Sequence, residues 1–360
     1  MGELNKVDYI KHDKEYFNNT IHSKMRRVAL SQSGEVVGIH HTNNTNLWQD
    51  GSKVDWSTYE SKGWNCMVQI PKFYYKVEIG TLVSFNDVYR CEVIEKEKDG
   101  YKVHPAFNRE EGIVEDYQYI SAFEGWVDSS GRLRSLPNKT VTVNKTRAQF
   151  RSAAELNGSD YRQQDFYLIS AVQMLFITEY GSLNSQVALG KGRTSGGSDP
   201  YIKTGVSLVC GNNSYGNKTA NTDVVSYRGI ENLWGNYWKF LDGLNISNYI
   251  PYVSKKKFKD DVFTGNYSRV GNFTLPSITN YITNFKKING DFDFTFLPSS
   301  VGGTESTYFG DSLYVGSGDR IALFGGYSAN TSGCGAFCIS LSAASITASS
   351  ITARLAYLIS

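Results

Sequence analysis

Residues Ser226–Gly243 read SYRGIENLWGNYWKFLDG, and this stretch decides the fold. Trp234 and Trp238 stand four residues apart with Asn236 between them, and Arg228, Glu231 and Asp242 surround the pair. Buried indoles supply large apolar area, and an interior tolerates charged neighbours only when each is matched. The segment is therefore expected to be a packed knot in an irregular core. Catalysis is not its first role.

Towards the carboxy terminus, Ile321 to Ala353 form 33 consecutive residues without a charge, although the chain's 20% charged fraction would place about six or seven there. Phe337, Ile339 and Leu341 alternate with Cys338, Ser340 and Ser342, and Ile351, Ala353, Leu355 and Tyr357 alternate again. Each run predicts a strand with one apolar face. SAASITASS between them is a loop. Two explanations of the missing charge stand side by side: a subunit interface, or a surface that contacts a receptor.

Towards the amino terminus, QQDFYLISAVQMLFITEY (163–180) carries Phe166, Ile169, Val172, Met174, Leu175 and Ile177 near helical spacing on one face. Asp165 marks its start and Gly181 its stop. TRAQFRSAAELNG predicts a shorter helix ending near Gly158. CMVQIPKFYYKVEIG and VYRCEVIEKEKDGYKVHPAF show period-two alternation and a turn at Asp99-Gly100, the pattern of hairpin strands. The first ~45 residues, ending in GIHHTNNTNLWQDG, read as an extended or partly helical arm for attachment or assembly.

Position by position, Gly229, Glu231, Asn232, Trp234, Gly235, Asn236 and Trp238 resemble the G-x-E-N-x-W-G-N-x-W motif of the formylglycine-generating-enzyme-like branch of the C-type lectin fold. The sequence departs from the motif's ending, with Lys239 in place of a Glu and Phe240 in place of a Trp. LFGG (323–326) and TARLAYL (352–358) resemble that branch's closing strands. The longer series HPAF, YISAFEGW, RSAAELNG, LFITEYGSLNSQ and YRGIENLWGNYWKFLDG, from about Cys66 to Ser360, is similar to a virion adhesion family of tailed bacteriophages of Gram-positive hosts. The resemblance implies an α+β protein with an attachment arm (1–45), a β-rich domain (46–140) and a C-type-lectin-like domain of short strands and one or two helices (141–360). It further implies a receptor-binding protein of a virion tail tip, baseplate or fibre, made in the host cytoplasm, often trimeric, and joined to other tail proteins. Its partner would be a bacterial surface glycan or protein. The ligand face would comprise Tyr327, Ser328, Asn330, Thr331 and Ser332 on one loop and Ser345, Thr347, Ser349 and Ser350 on the next, because tyrosine contributes rigid amphipathic area and the small polar residues adaptable hydrogen bonds.

Related folds also host chemistry, so each reaction is weighed at its own residues. A formylglycine-generating-type oxidase would use Cys334 and Cys338, but their C-x-x-x-C spacing is one residue short and SGCGAFCIS holds no cation to activate a thiol. An iron site of three histidines is disfavoured because all five His precede residue 105; His40-His41 reads as a polar pair near a turn and His104 as a strand-end residue. The sugar-binding calcium motifs of true C-type lectins are missing, and Asp260-Asp261 and Asp291 with Asp293 read as solvated turns. GKGRTSGG follows a helix and lacks a phosphate-loop ending. The Lys255–Lys257 run, with Lys259, reads as a solvated hairpin edge, with a polyanion site as the lesser reading. No catalytic residue, metal or cofactor is expected. The alternatives that stay open are the oxidase and a purely structural virion component.

The totals agree with a binding protein. Twenty-four Tyr and 19 Phe in 360 residues predict folding throughout and favour sheet. A net charge of +2 provides no field to steer nucleic acid. The opening residues lack a signal-peptide core and no window reaches membrane-spanning length, so membrane insertion is not expected. Five scattered cysteines argue against a disulfide framework.

Overall fold

The computed structural model describes Val7–Asp8 and residues 20–82, 85–196, 201–307 and 309–359. Four α-helices occur among the described residues: α1 (Trp56–Lys62), α2 (Arg147–Glu155), α3 (Phe166–Tyr180) and α4 (Ser185–Ala188). Strand outweighs helix, 31% against 14%, so the chain is a β-rich α+β protein.

Helix α3 starts where Asp165 accepts from the backbone N–H groups of Tyr167 (2.9 Å) and Leu168 (3.1 Å), and stops at Gly181 in the left-handed region (φ 67°). The spacing predicted one apolar face, yet every residue from Phe166 to Thr178 is buried. Polar members of the helix are matched within the core: Gln173 Nε2 donates to Ala336 O at 2.7 Å, and Ser170 Oγ donates to Tyr167 O. Thr146 and Gln149 form a reciprocal capping box on α2.

A seven-stranded antiparallel sheet runs in the order Tyr161–Gln163, Leu355–Tyr357, Tyr117–Ser121, Asn65–Pro71, Arg26–Leu30, Val36–His41, Asn44–Trp48. Residues from 26 onward are thus sheet rather than arm, and Met25, Val28, Ala29 and Leu30 are fully buried. Most of the remaining expected arm, residues 1–19, lies outside the described residues apart from Val7–Asp8, which pairs in parallel with Tyr89 and Arg90. The sheet draws strands from both sides of residues 45 and 140, so the expected boundaries do not separate one sheet from another. A second sheet is built on the ten-residue strand Trp238–Ser247, flanked by Ile250–Val253 and Asp319–Phe324. Ile339–Ser342 follows beyond Asp319–Phe324, and Ile351–Thr352 lies in parallel beside Trp238 and Lys239.

The knot leads into the long strand of the second sheet and is tied to the first where Arg27 Nε donates to Gly229 O at 2.8 Å. Trp234 is wholly buried, donates Nε1–H to Gly190 O at 3.2 Å and meets the Phe176 ring of α3 edge-on at 5.8 Å. Gly235 has φ 74°, and a Cβ there would lie 2.7 Å from Arg193 O, so no other residue fits without movement. Asn232 and Asn236 also have positive φ, which asparagine tolerates, and both side-chain amides donate to Glu124 Oε2, at 3.1 and 2.5 Å. Glu231 accepts from the backbone N–H of Gly205 (2.8 Å) and of Ser207 (2.7 Å). Arg354 Nη2 donates to the carbonyls of Glu231 and Asn232, and thereby ties the last strand to the knot. Lys239 is fully buried 3.0 Å from Glu124 Oε1; burial pulls its ammonium down to about 8, with Glu124 opposing.

Several residues read as solvated are anchored. Asp260 lies 2.8 Å from Arg147 and 2.7 Å from Arg151, and both cations hold its carboxyl below the usual range against the effect of burial. Asp293 receives the Tyr75 hydroxyl at 2.6 Å and Lys102 at 2.8 Å. In the lysine run, Arg109 Nη1 donates to Lys255 O at 3.0 Å, Lys255 Nζ donates to Asn108 O and Lys256 pairs with Glu110. His40 is buried, with its ring stacked against Trp48 at 4.9 Å and Trp56 at 5.5 Å; of the supposed turn pair only His41 is partly exposed.

Candidate functional site

The two carboxy-terminal loops are held at both ends by the second sheet and meet at Trp238. Gly325 and Gly326, with φ 89° and 78°, turn the chain out of the Asp319–Phe324 strand. A Cβ on Gly326 would lie 2.4 Å from Cys334 Sγ, which forces glycine there. Tyr327 stacks over the Trp238 ring at 6.4 Å, and Trp238 N–H donates to Ser350 O at 2.9 Å. Trp238 thus supports both loops, the first through its buried ring and the second through its backbone N–H.

Within the first loop, Tyr327 N–H donates to Asn330 Oδ1 at 3.0 Å and Asn330 Nδ2 donates to the Tyr314 hydroxyl at 3.0 Å. The Asn330 side chain is therefore spent on shaping the loop. Ser328 is buried and does not face solvent, a correction to its expected place on the ligand face. Thr331 is exposed, and Ser332, partly exposed, shares a 2.7 Å hydrogen bond with the Tyr281 hydroxyl. On the second loop Ser345, Thr347 and Ser349 are exposed, while the residues between them pack inward and Ser350 is half-buried. This alternation leaves a row of small hydroxyl side chains outside.

Of the 33 uncharged residues, eighteen are buried within the chain itself. Most of the missing charge therefore reflects intramolecular core, an explanation neither the interface nor the receptor surface supplied. Burial could not be read from sequence because the run mixes short buried strands with exposed loop at the same composition.

Cys334 and Cys338 are fully buried, and burial pushes both thiols well above their ordinary range; for Cys334 the nearby Lys239 opposes the shift. Cys334 Sγ donates to Tyr327 O at 3.2 Å. Cys210 is the one partly exposed cysteine. A thiol reagent applied to the native protein is accordingly expected to label Cys210 within minutes and to reach Cys334 and Cys338 only on unfolding, read by mass spectrometry of the labelled peptides. Rapid native labelling of Cys334 would overturn that placement.

Asp311 was missed from sequence. Its buried carboxyl accepts from Phe337 N–H at 2.7 Å, and it approaches because Gly335 has no side chain to block it. Burial raises its pKa well above the carboxylate range. Among the described residues, no cluster of three His, Cys, Asp or Glu could hold a metal, and no helix is long and apolar enough to cross a membrane.

By fold, the chain belongs to the β-rich α+β class. No protein-family model and no curated protein matches it. Solved structures of the M1, U1 and P3c variants of a Major Tropism Determinant align with 67% of the chain at 14% identity and a TM-score of 0.33. The alignment covers 50–51% of those structures, so the chain spans about half their length.

Proposed function

We propose that this chain is a receptor-binding protein of a bacteriophage tail or fibre, recognising a bacterial surface glycan or protein through its uncharged carboxy-terminal loops without catalysis. The observation that carries the reading is the pair of loops seated on Trp238, which presents Thr331, Ser345, Thr347 and Ser349 to solvent on a backbone fixed by buried contacts. A preformed, neutral, hydroxyl-rich face suits selective binding because little ordering entropy is lost on contact. The sealed thiols speak against an oxidase, whose nucleophile needs access and a lowered pKa. The assembly proposed is a homotrimer joined to other tail proteins on the virion, where three sites raise avidity by roughly 100-fold or more. Light scattering at micromolar concentration is expected to give the trimer mass; a monomer would remove the avidity argument.

The combined variant Ser345→Ala, Thr347→Ala and Ser349→Ala is expected to cut attachment to bacterial cells at least tenfold while stability moves by less than about 1 kcal/mol, as for exposed positions. Attachment should change little from low to physiological salt because the face has no charge to screen. Attachment that survives the triple change, or collapses with salt, would place the site elsewhere; a variant panel that never alters attachment would favour a structural virion component. Asn330→Ala is a poor probe, since losing its two hydrogen bonds would cost about 1–3 kcal/mol of stability.

A further inference from the structure

An open cleft of about 600 Å³ adjoins the Tyr327–Ser332 loop, walled by Asn184, Gln186, Thr194, Asn221, Ser306 and Ser332. Val187 is the one apolar side chain on its lining, and among the described residues Lys191, Lys218 and Glu305 on its rim make no ion pair. The volume is that of a small-molecule site, but such sites are mostly apolar, and the buried centre of a protein–protein contact is apolar too. Walls of amides and hydroxyls match a ligand that is itself covered in hydroxyls.

Thr331 stands on this cleft with φ 49°, in the left-handed region that a β-branched residue rarely adopts. Two hydrogen bonds hold it there: its N–H donates to Thr194 O at 2.9 Å, and Gln186 Nε2 donates to its carbonyl at 3.0 Å. Thr194 and Gln186 are themselves walls of the cleft, so the strained residue and the cavity form one unit. Strain kept by over-determined contacts is characteristic of binding sites.

We infer that this cleft receives a saccharide unit of the receptor and that Thr331 is the residue that positions it, an inference resting on the receptor-binding reading. Ring hydroxyls exchange hydrogen bonds with the amide and hydroxyl walls, and the neighbouring loop contacts the rest of the ligand.

The test measures attachment of the full chain to bacterial cells pretreated with periodate, which cleaves vicinal diols, or with protease. Periodate is expected to abolish attachment and protease to leave it intact. Ser306→Trp, an exposed position on the wall away from the receptor loops, is expected to fill the cleft and reduce attachment at least tenfold with an unchanged melting temperature. Thr331→Gly relieves the strained backbone, so its melting temperature should hold or rise while attachment falls at least fivefold; a merely structural threonine would leave attachment unchanged. Loss by protease with survival after periodate, or full attachment by Ser306→Trp, overturns the saccharide cleft. In the latter case loss in the Ser345, Thr347 and Ser349 triple variant leaves the loop reading standing. Wild-type protein that attaches to no bacterial cell sinks the receptor-binding reading itself.

Discussion

Trp234→Ala is expected to lower the unfolding free energy by about 3–5 kcal/mol, the cost of truncating a large buried aromatic and leaving a cavity. The site has little means of collapsing. On one side Phe176 belongs to a helix buried along nearly its whole length, and on the other Gly192 and Gly235 are locked at positive φ against the indole and against Arg193. The indole N–H is matched by Gly190 O, so its removal also strands a buried carbonyl. Because the strand Trp238–Ser247 begins four residues later, the variant should loosen the platform under both loops and reduce attachment as a consequence of unfolding. Urea denaturation followed by circular dichroism measures the effect. Wild-type stability combined with lost attachment would make the knot a contact site and overturn its assignment as core.

Acid is expected to unfold the protein through its buried histidines. Burial lowers His22 to about 3, with Arg228 adding to the shift, and lowers His40 to about 3, with Arg27 adding while the Thr45 carbonyl opposes. His104 is also driven well below its ordinary value by burial and then by Arg109. Neutral His40 satisfies both nitrogens, Nδ1 donating to Thr45 O at 2.7 Å and Nε2 accepting from the Tyr59 hydroxyl at 2.6 Å. Between pH 6.5 and 3 the unfolded chain therefore takes up protons that the folded chain excludes. Stability is complete above about pH 6.5 and is lost as pH falls towards 3. Each group changes stability by about 1.4 kcal/mol per pH unit, so at pH 5 His22 and His40 together account for a loss of roughly 4 kcal/mol. Urea midpoints from pH 7 to 4 should fall steeply, and His40→Gln should reduce the slope by about one proton. A flat profile above pH 4.5 would contradict the burial of these rings.

Local chemistry made a good part of the fold legible. The bounds of α3 follow from Asp165 and Gly181, and α2 falls within the predicted TRAQFRSAAELNG segment before Gly158. These are contacts within a few residues, where side-chain type decides backbone conformation. The candidate site was legible only in outline. Tyr327, Thr331, Ser345, Thr347 and Ser349 reach the surface or its edge, but nothing in SANTSG distinguishes buried Ser328 from exposed Thr331, or shows that Asn330 is engaged by Tyr314. The cleft was invisible because its walls come from residues 184–194, 221, 306 and 332, which only the fold assembles.

The sequence by itself determined the aromatic knot, the helix between Asp165 and Gly181 and a neutral carboxy-terminal run, since all are properties of neighbouring residues. Tertiary structure alone decided the rest. It placed residues 26–48 in the same sheet as the last strand, turned Asp260, Asp293 and the lysine run into anchored groups, and buried His40 among tryptophans. The physical reason is that partners for charge and for burial lie on average far apart in the chain: Arg27 meets Gly229, Glu124 meets Lys239, and Arg147 meets Asp260. Composition records that such groups exist, and only the path of the chain pairs them.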